Sequence, residues 1–197
     1  MAVGVADAAR SDWQSIARTW GTTAAEREQP LPCDRWLDHP DETLFRAVDV
    51  EAPASVLFRW LCQLRVAPYS YDWLDNFGRR SPRRLTPGLE ALAVGQRVMT
   101  FFEIVDFERD RHLTARTTST ASLLGEFAAS YVVVPRGDLG SRVLVKLLVS
   151  YPPGPIGWAL RWLLPWGDLI MMRRQLLTLK ALAEESVRLA SRGEHAP

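Results

Sequence analysis

The feature that most constrains the fold is a run of four segments with a two-residue period, followed directly by a long helical pattern. Side chains alternate between two faces over residues 98–104, 111–120, 125–135 and 141–151. Such alternation is typical of strands with one buried face. Turn-forming clusters such as Arg136-Gly137-Asp138 separate the segments, so the pattern predicts an antiparallel meander.

The segments around the meander predict an α+β domain. An apolar stripe of helical period runs from Asp168 to about Ala190, which predicts a helix of roughly 35 Å. A Pro- and Gly-rich connector over 152–157 and a break or kink at Pro165 are expected before it. Residues 43–51 predict a further strand, and residues 53–65 a helix. We expect a curved antiparallel sheet wrapped around the terminal helix, with a ligand cavity between them.

We expect one domain with short additions at both ends. Residues 1–29 form a helical lead-in, in which Trp13, Ile16 and Trp20 share one helix face and Gly21 ends the helix. Residues 30–190 form the single domain, and residues 191–197 a flexible tail.

Charge and the rarer residues exclude several classes of function. Lys and Arg number 24 and Asp and Glu 23, so no overall field would draw the chain to nucleic acid. Cys33 and Cys62 have no second pair and no close histidine, which disfavours a disulfide framework and a zinc site and favours reduced thiols in the cytoplasm. We expect no metal, because His39, His112 and His195 lie far apart in the sequence, and no cofactor, because no glycine-rich phosphate loop is present.

We expect neither a secretory signal nor a membrane span. Residues 1–10 lack a basic start followed by an apolar run. The longest uncharged stretch, residues 147–160, contains three prolines and is shorter than the roughly 18 to 20 apolar residues that cross a bilayer.

Several short strings, in their order and spacing, resemble bacterial members of the SRPBCC superfamily, which are START-like, helix-grip proteins of the polyketide cyclase/dehydrase and lipid-transport type. The strings are Thr19-Trp20-Gly21, Pro32-Cys33-Asp34, residues 48–53, residues 60–63, residues 69–76 and Met171-Met172-Arg173-Arg174. The resemblance covers roughly residues 18–185. Cys33 departs from an expected Gly, and residues 64–68 replace a Gly-rich stretch. The resemblance implies a deep apolar cavity for a lipid, polyketide or similar molecule, and it does not imply one reaction.

The segment over residues 69–76 is the best candidate for a polar patch on an apolar pocket. Its phenols, indole, amide and carboxylate could orient a ligand's oxygens, and the residues concerned are Tyr69, Tyr71, Asp72, Trp73 and Asn76. The alternative is that these side chains pack and cap a short helix, and the two roles can coexist. Tyr71, Asp72 or Glu103 could also move protons, the carboxylates if burial raises their pKa.

The strands supply further candidates. Tyr131 and Tyr151 become cavity hydroxyls if the apolar side of the meander faces inward, and Phe101 and Glu103 lie on the first segment. Core packing is the alternative for the aromatic residues.

Two other clusters each allow two interpretations. Arg79, Arg80, Arg83 and Arg84 could form a solvated loop, or they could bind a carboxylate, a phosphate or an anionic membrane, with Arg79 at the ligand site. Trp158, Trp162 and Trp166 recur every four residues, and they could cover the open end of the sheet or form a lid or a membrane contact.

These patterns favour a protein that binds a hydrophobic small molecule in an internal cavity. An enzyme of the cyclase or dehydratase type, acting on a poly-carbonyl or similar hydrophobic substrate, is the first alternative. A peripheral membrane protein that binds lipid is the second.

Overall fold

A single six-stranded antiparallel sheet forms the centre of the molecule. The computed structural model describes residues 15–76, 78–99, 101–118 and 125–193. The strands are β1 (Glu42–Val50), β2 (Arg97–Val98), β3 (Phe102–Glu108), β4 (His112–Thr117), β5 (Glu126–Arg136) and β6 (Gly140–Ser150). Their order is β1-β6-β5-β4-β3-β2, so the predicted meander is confirmed and β1 pairs with the last strand.

Helices lie along the inner face and the flanks of this sheet. They are α1 (Ala24–Glu28), α2 (Ala54–Cys62), α3 (Asp72–Asp75) and α4 (Pro155–Gly193), with 3-10 turns at Pro32–Arg35 and Gln63–Arg65. Residues 15–19 are also helical. The sheet and the long terminal helix confirm the predicted α+β, helix-grip architecture. None of the described helices is both long and apolar enough to cross a membrane.

Of the break or kink predicted at Pro165, the break is wrong, because α4 is continuous from Pro155 and contains this proline. The kink stays a prediction. A proline removes one backbone donor from a helix. Two contacts hold α4 in place on its buried side at this point. The guanidinium of Arg46 on β1 donates to the Pro165 carbonyl at 3.3 Å and pairs with the Asp168 carboxylate at 2.8 Å.

The prediction of one strand over residues 98–104 is also wrong, because the chain reverses there. Met99 has a φ of +47°, and the Phe101 N–H donates to the Met99 carbonyl at 2.7 Å. The alternating pattern therefore belongs to a tight hairpin between β2 and β3, and Phe101 lies in its exposed turn.

The lead-in helix ends at Gly21 as predicted, and Trp20 of the predicted face packs against the inner core, but Ile16 does not. Ile16 is exposed, while Ala17 is buried and its carbonyl accepts from Arg46. Gly21 has a φ of +78°, and a Cβ there would lie 2.1 Å from the Ala47 carbonyl oxygen, so only glycine fits. Trp13 lies outside the described residues.

Apolar side chains pack on both faces of the sheet. The inner cluster joins strands β1 and β3–β6 to α2 and α4, and includes Trp60, Tyr69, Tyr131 and Leu176. The outer cluster lies beneath the turn at Pro32–Arg35 and contains Cys33, whose thiol pKa is raised by burial. The inner cluster therefore fills the region between the sheet and α4, where a ligand cavity is expected from the sequence.

Candidate functional site

A cleft of about 80 Å³ lies between α4 and the polar segment that follows α2. Its lining comes from three stretches of chain: Tyr69, Ser70 and Asp72; Ser81, Pro82 and Arg83; and Arg174, Thr178 and Leu182. Three residues of the predicted polar motif, Tyr69, Ser70 and Asp72, therefore meet the arginine run (residues 79–84) and the terminal helix at one place.

Tyr69 is the most unusual residue of the cleft. Its side chain is 1% exposed, and its ring packs edge-on against Trp60 with centroids 6.1 Å apart. Its hydroxyl has no hydrogen-bond partner among the described residues. Burial, with a smaller contribution from the nearby Asp72 carboxylate, raises the pKa of Tyr69 to about 12, so this hydroxyl keeps its proton at neutral pH.

Asp72 holds the arginine run against the cleft. Its carboxylate accepts from the backbone N–H of Ser81 at 2.9 Å and from the Ser81 hydroxyl at 2.5 Å. At the other end of α3, the Asn76 side-chain amide donates to the Arg79 carbonyl at 2.6 Å. Both polar side chains thus order the loop after α3, and the Asp72 carboxylate bonds to Ser81 rather than capping the N-terminus of α3.

The rim of the cleft is positive. Arg83 and Arg174 both line it, and the side chains of Arg79, Arg80 and Arg84 are exposed nearby in sequence. Arg174, Thr178 and Leu182 follow at steps of four residues, which places them on one face of α4. The cleft therefore combines a buried hydroxyl with guanidinium groups, a donor set suited to ligand oxygens.

A buried polar chain lies directly behind the cleft. The Tyr131 hydroxyl donates to the Gln175 side-chain oxygen at 2.8 Å, and the Gln175 amide donates to the Pro68 carbonyl at 2.6 Å. The sulfur atoms of Met99 and Met172 lie 3.9 and 3.6 Å from the same hydroxyl. Burial raises the pKa of Tyr131, which therefore also stays protonated. Methionine side chains repack easily, so this region can change shape.

The other predicted site residues lie elsewhere. Trp73 and Phe101 are exposed, and Glu103 pairs with Arg116 at 3.1 Å on the outer face of the sheet. The Tyr151 hydroxyl donates to Glu42. Burial raises the pKa of Tyr151, and Arg161 lies over its ring at 4.9 Å.

Tyr71 and Arg79 lie beside the cleft rather than in it. Tyr71 is half-buried, and its carbonyl accepts the Leu74 and Asp75 N–H groups of the first turn of α3. Arg79 is exposed. Of the ten predicted ligand-site residues, Tyr69 and Asp72 line the cleft and Tyr131 lies behind it; the ligand contacts of all ten stay predictions.

Sequence reasoning missed the contribution of α4 to the site. Gln175 precedes Leu179 and Leu182 by four and seven residues, so it stands within the apolar stripe. A polar residue in such a stripe is a signal of a buried hydrogen bond, and this one could have been noticed. Arg174 and Arg83 line the same cleft only because of long-range packing, and no local sequence pattern indicates that they lie close together.

A second, larger cleft of about 210 Å³ lies at the outer face of the sheet. Trp36, Arg116 and Glu126 contribute to its lining, and the Arg116 guanidinium lies 5.6 Å from the centre of the Trp36 ring. Within the described ranges, no three His, Cys, Asp or Glu side chains lie close enough to hold a metal ion.

The six-stranded sheet and the long terminal helix form a helix-grip fold, which is shared by solved structures of polyketide aromatase/cyclases. Among solved structures, Zhui aromatase/cyclase from a Streptomyces species is similar with a TM-score of 0.51 and 15% identity, over 76% of this chain and 97% of that chain. A hypothetical protein from Helicobacter pylori has a TM-score of 0.52 and 16% identity, over 78% and 95% of the two chains. At these identities the likeness shows the fold alone. No protein-family model and no curated protein matches the sequence.

Proposed function

We propose that this protein binds a hydrophobic small molecule that carries a polar oxygen group, and that Tyr69 recognises this group. The observation that carries the proposal is Tyr69, a residue that lines the cleft and whose buried hydroxyl has no partner among the described residues. A buried hydroxyl without a hydrogen bond costs about 1–3 kcal/mol. A ligand oxygen at this position would remove that cost.

The size of the cleft indicates which part of the ligand it holds. A cavity of about 150 Å³ accommodates benzene, whereas this cleft measures about 80 Å³. It therefore suits the polar end of a ligand. The apolar remainder would enter the space occupied by Met99 and Met172, beside the chain from Tyr131 to Pro68.

The charges at the rim suggest the chemistry of that polar end. Arg83 and Arg174 favour a carbonyl, a carboxylate or a phosphate, because guanidinium groups only donate hydrogen bonds. The Asp72 carboxylate disfavours a second anion deeper in the cleft, and its bonds to Ser81 keep it at the wall.

The Tyr69→Phe variant tests the proposal. Mass spectrometry of organic extracts of the purified protein should show a co-purifying amphiphile, and dodecanoate should bind in a calorimetric titration. We expect Tyr69→Phe to weaken dodecanoate binding about tenfold, since a hydrogen bond to a charged group contributes roughly 1.5 kcal/mol. The free protein should be equally stable or slightly more stable, because the unpaired hydroxyl is gone.

Tyr151→Phe is the matched control, because this hydroxyl is bonded to Glu42 outside the cleft. It should leave dodecanoate affinity unchanged. Failure to find any co-purifying amphiphile together with no dodecanoate binding contradicts the proposal, as does equal affinity in Tyr69→Phe and the parent.

A cyclase-type enzyme is the second candidate, and the fold shared with an aromatase/cyclase favours it. In this hypothesis the protein holds a poly-carbonyl chain in a folded conformation, and a side chain of residues 69–76 moves protons. Glu103 lies on the outer face of the sheet, away from the cleft. Asp72, which lines the cleft, and Tyr71 beside it are therefore the better candidates for moving protons.

The hypothesis of a cyclase-type enzyme makes a separate prediction. Asp72→Asn or Tyr71→Phe should abolish turnover of a poly-β-carbonyl thioester analogue, followed by chromatography, while binding of that analogue stays within about twofold. Equal loss of turnover and binding would favour a carrier that performs no chemistry.

A further inference from the structure

The first half of α4 carries an exposed apolar face. Trp158, Trp162 and Trp166 are 68%, 62% and 40% exposed. Ile156, Leu163 and Ile170 are exposed beside them. The interpretation in which these rings cover the open end of the sheet is therefore wrong. The buried side of the same stretch consists of Gly157, Pro165 and Leu169.

Close packing at Gly157 holds this face outward. A Cβ at Gly157 would lie 1.8 Å from the Pro152 carbonyl oxygen, so the helix backbone touches the connector there. Farther along, Arg46 binds the Pro165 carbonyl and Asp168. Both contacts fix the rotation of the helix, so the six apolar side chains cannot turn inward without breaking them.

Basic groups predominate around this face, where the Asp41 carboxylate pairs with Arg161 at 2.8 Å. Between Pro152 and Ala183 the sequence contains one acidic residue, Asp168, which is paired with buried Arg46. Arg173 and Arg174 are exposed on the same helix. Arg174 lines the cleft with Arg83, which brings the arginine run to this side of the molecule. In the described part of the chain, Arg79, Arg80, Arg83 and Arg84 take part in no ion pair.

We propose that this surface, the exposed face of residues 156–170 together with the arginines of residues 79–84 and 173–174, docks on an anionic lipid bilayer. Tryptophan prefers the interface between headgroups and hydrocarbon, and arginine binds lipid phosphates. A helix with an apolar face and basic flanks is the usual form of such an interfacial element. A second copy of this chain fits less well, since a two-fold contact would bring together two surfaces of like charge.

The proposal goes beyond ligand binding, and its test does not depend on a ligand. The full chain is sedimented with phosphatidylcholine vesicles that contain or lack phosphatidylserine. We expect it to pellet with the anionic vesicles at low salt and to be released as salt is added. The triple variant Trp158→Gln, Trp162→Gln, Trp166→Gln should lower the partition coefficient at least about tenfold. Arg80→Gln and Arg84→Gln should each lower it roughly fivefold.

Leu139→Gln is the matched control, because Leu139 is exposed in the β5–β6 turn, at the opposite end of β6 from the start of α4. It should pellet like the parent chain. Circular dichroism should show the triple variant folded, since its rings are exposed. Absence of pelleting, or equal pelleting of the triple variant, overturns the proposal. A dimer in light scattering that the triple variant abolishes would assign the face to a second copy and also overturn it.

Discussion

Arg46→Met is expected to lower the free energy of unfolding by about 3–5 kcal/mol, because it leaves the Asp168 carboxylate buried without its partner. The two groups are 2.8 Å apart, and the Arg46 side chain is 1% exposed. Arg46 also donates to the carbonyls of Phe45, Ala17 and Pro165. This one side chain therefore joins the lead-in, β1 and α4, and its loss should be measured by urea unfolding.

The control for Arg46→Met is Arg59→Met, whose ion pair with Glu90 has the same 2.8 Å separation at a half-exposed position. Exposed pairs contribute about 0–1 kcal/mol, so this variant should change little. Adding Asp168→Leu to Arg46→Met should recover part of the lost stability, because no buried charge remains. If Arg46→Met costs no more than Arg59→Met, the pair does not hold these elements together.

The same pair makes the stability depend on pH. Burial raises the pKa of Asp168 from 3.8 to about 6, despite the opposing effect of Arg46. Between these two values the folded state binds more protons than the unfolded state, so the stabilising contribution is complete below about pH 4 and is lost as pH rises through about 6. Arg46→Met should for the same reason be most destabilising above pH 6, where Asp168 is ionised.

Trp60→Ala is expected to cost about 3–5 kcal/mol, because it opens a large cavity in the inner core. The Trp60 side chain is 2% exposed, and its indole N–H donates to the Ser186 hydroxyl at 3.0 Å. Its ring also supports Tyr69, so dodecanoate affinity should fall in the same variant.

Trp162→Ala is the matched control for Trp60→Ala, since it removes the same side chain from an exposed position. It should change the free energy of unfolding by no more than about 0.5 kcal/mol in urea titrations. Equal losses from the two variants would mean that the outer face of α4 is packed rather than exposed.

Much of the fold could be predicted because its signals are local. The two-residue period of β4, β5 and β6 and the stripe from Asp168 onward each reflect which side of one element is buried. The β2–β3 turn escaped prediction because Met99 adopts a positive φ without being glycine, so alternation continues through a reversal of the chain. The prediction of a break at Pro165 failed for the opposite reason. Proline usually breaks a helix, but here Arg46 on the distant strand β1 binds α4 at the Pro165 carbonyl and at Asp168.

The site was predictable only in part. The polar motif was noticed because phenols and carboxylates are unusual beside an apolar helix, and Tyr69 and Asp72 do line the cleft. Trp73 carries the same kind of signal but points to solvent. Composition identifies side chains able to bind a ligand, whereas burial and the absence of a partner, which single out the Tyr69 hydroxyl, follow from how α4 lies on the segment.

The sequence by itself determined the antiparallel meander and the long terminal helix, because the period of apolar residues is a property of each element alone, whereas the helix-grip class was implied by the family resemblance. Only the tertiary structure decided the orientation of the first half of α4. Residues 156–170 are apolar around most of the helix, so periodicity cannot tell which side is buried. Contacts of Gly157 with Pro152 and of Asp168 with Arg46 make that choice, and they leave Trp158, Trp162 and Trp166 exposed.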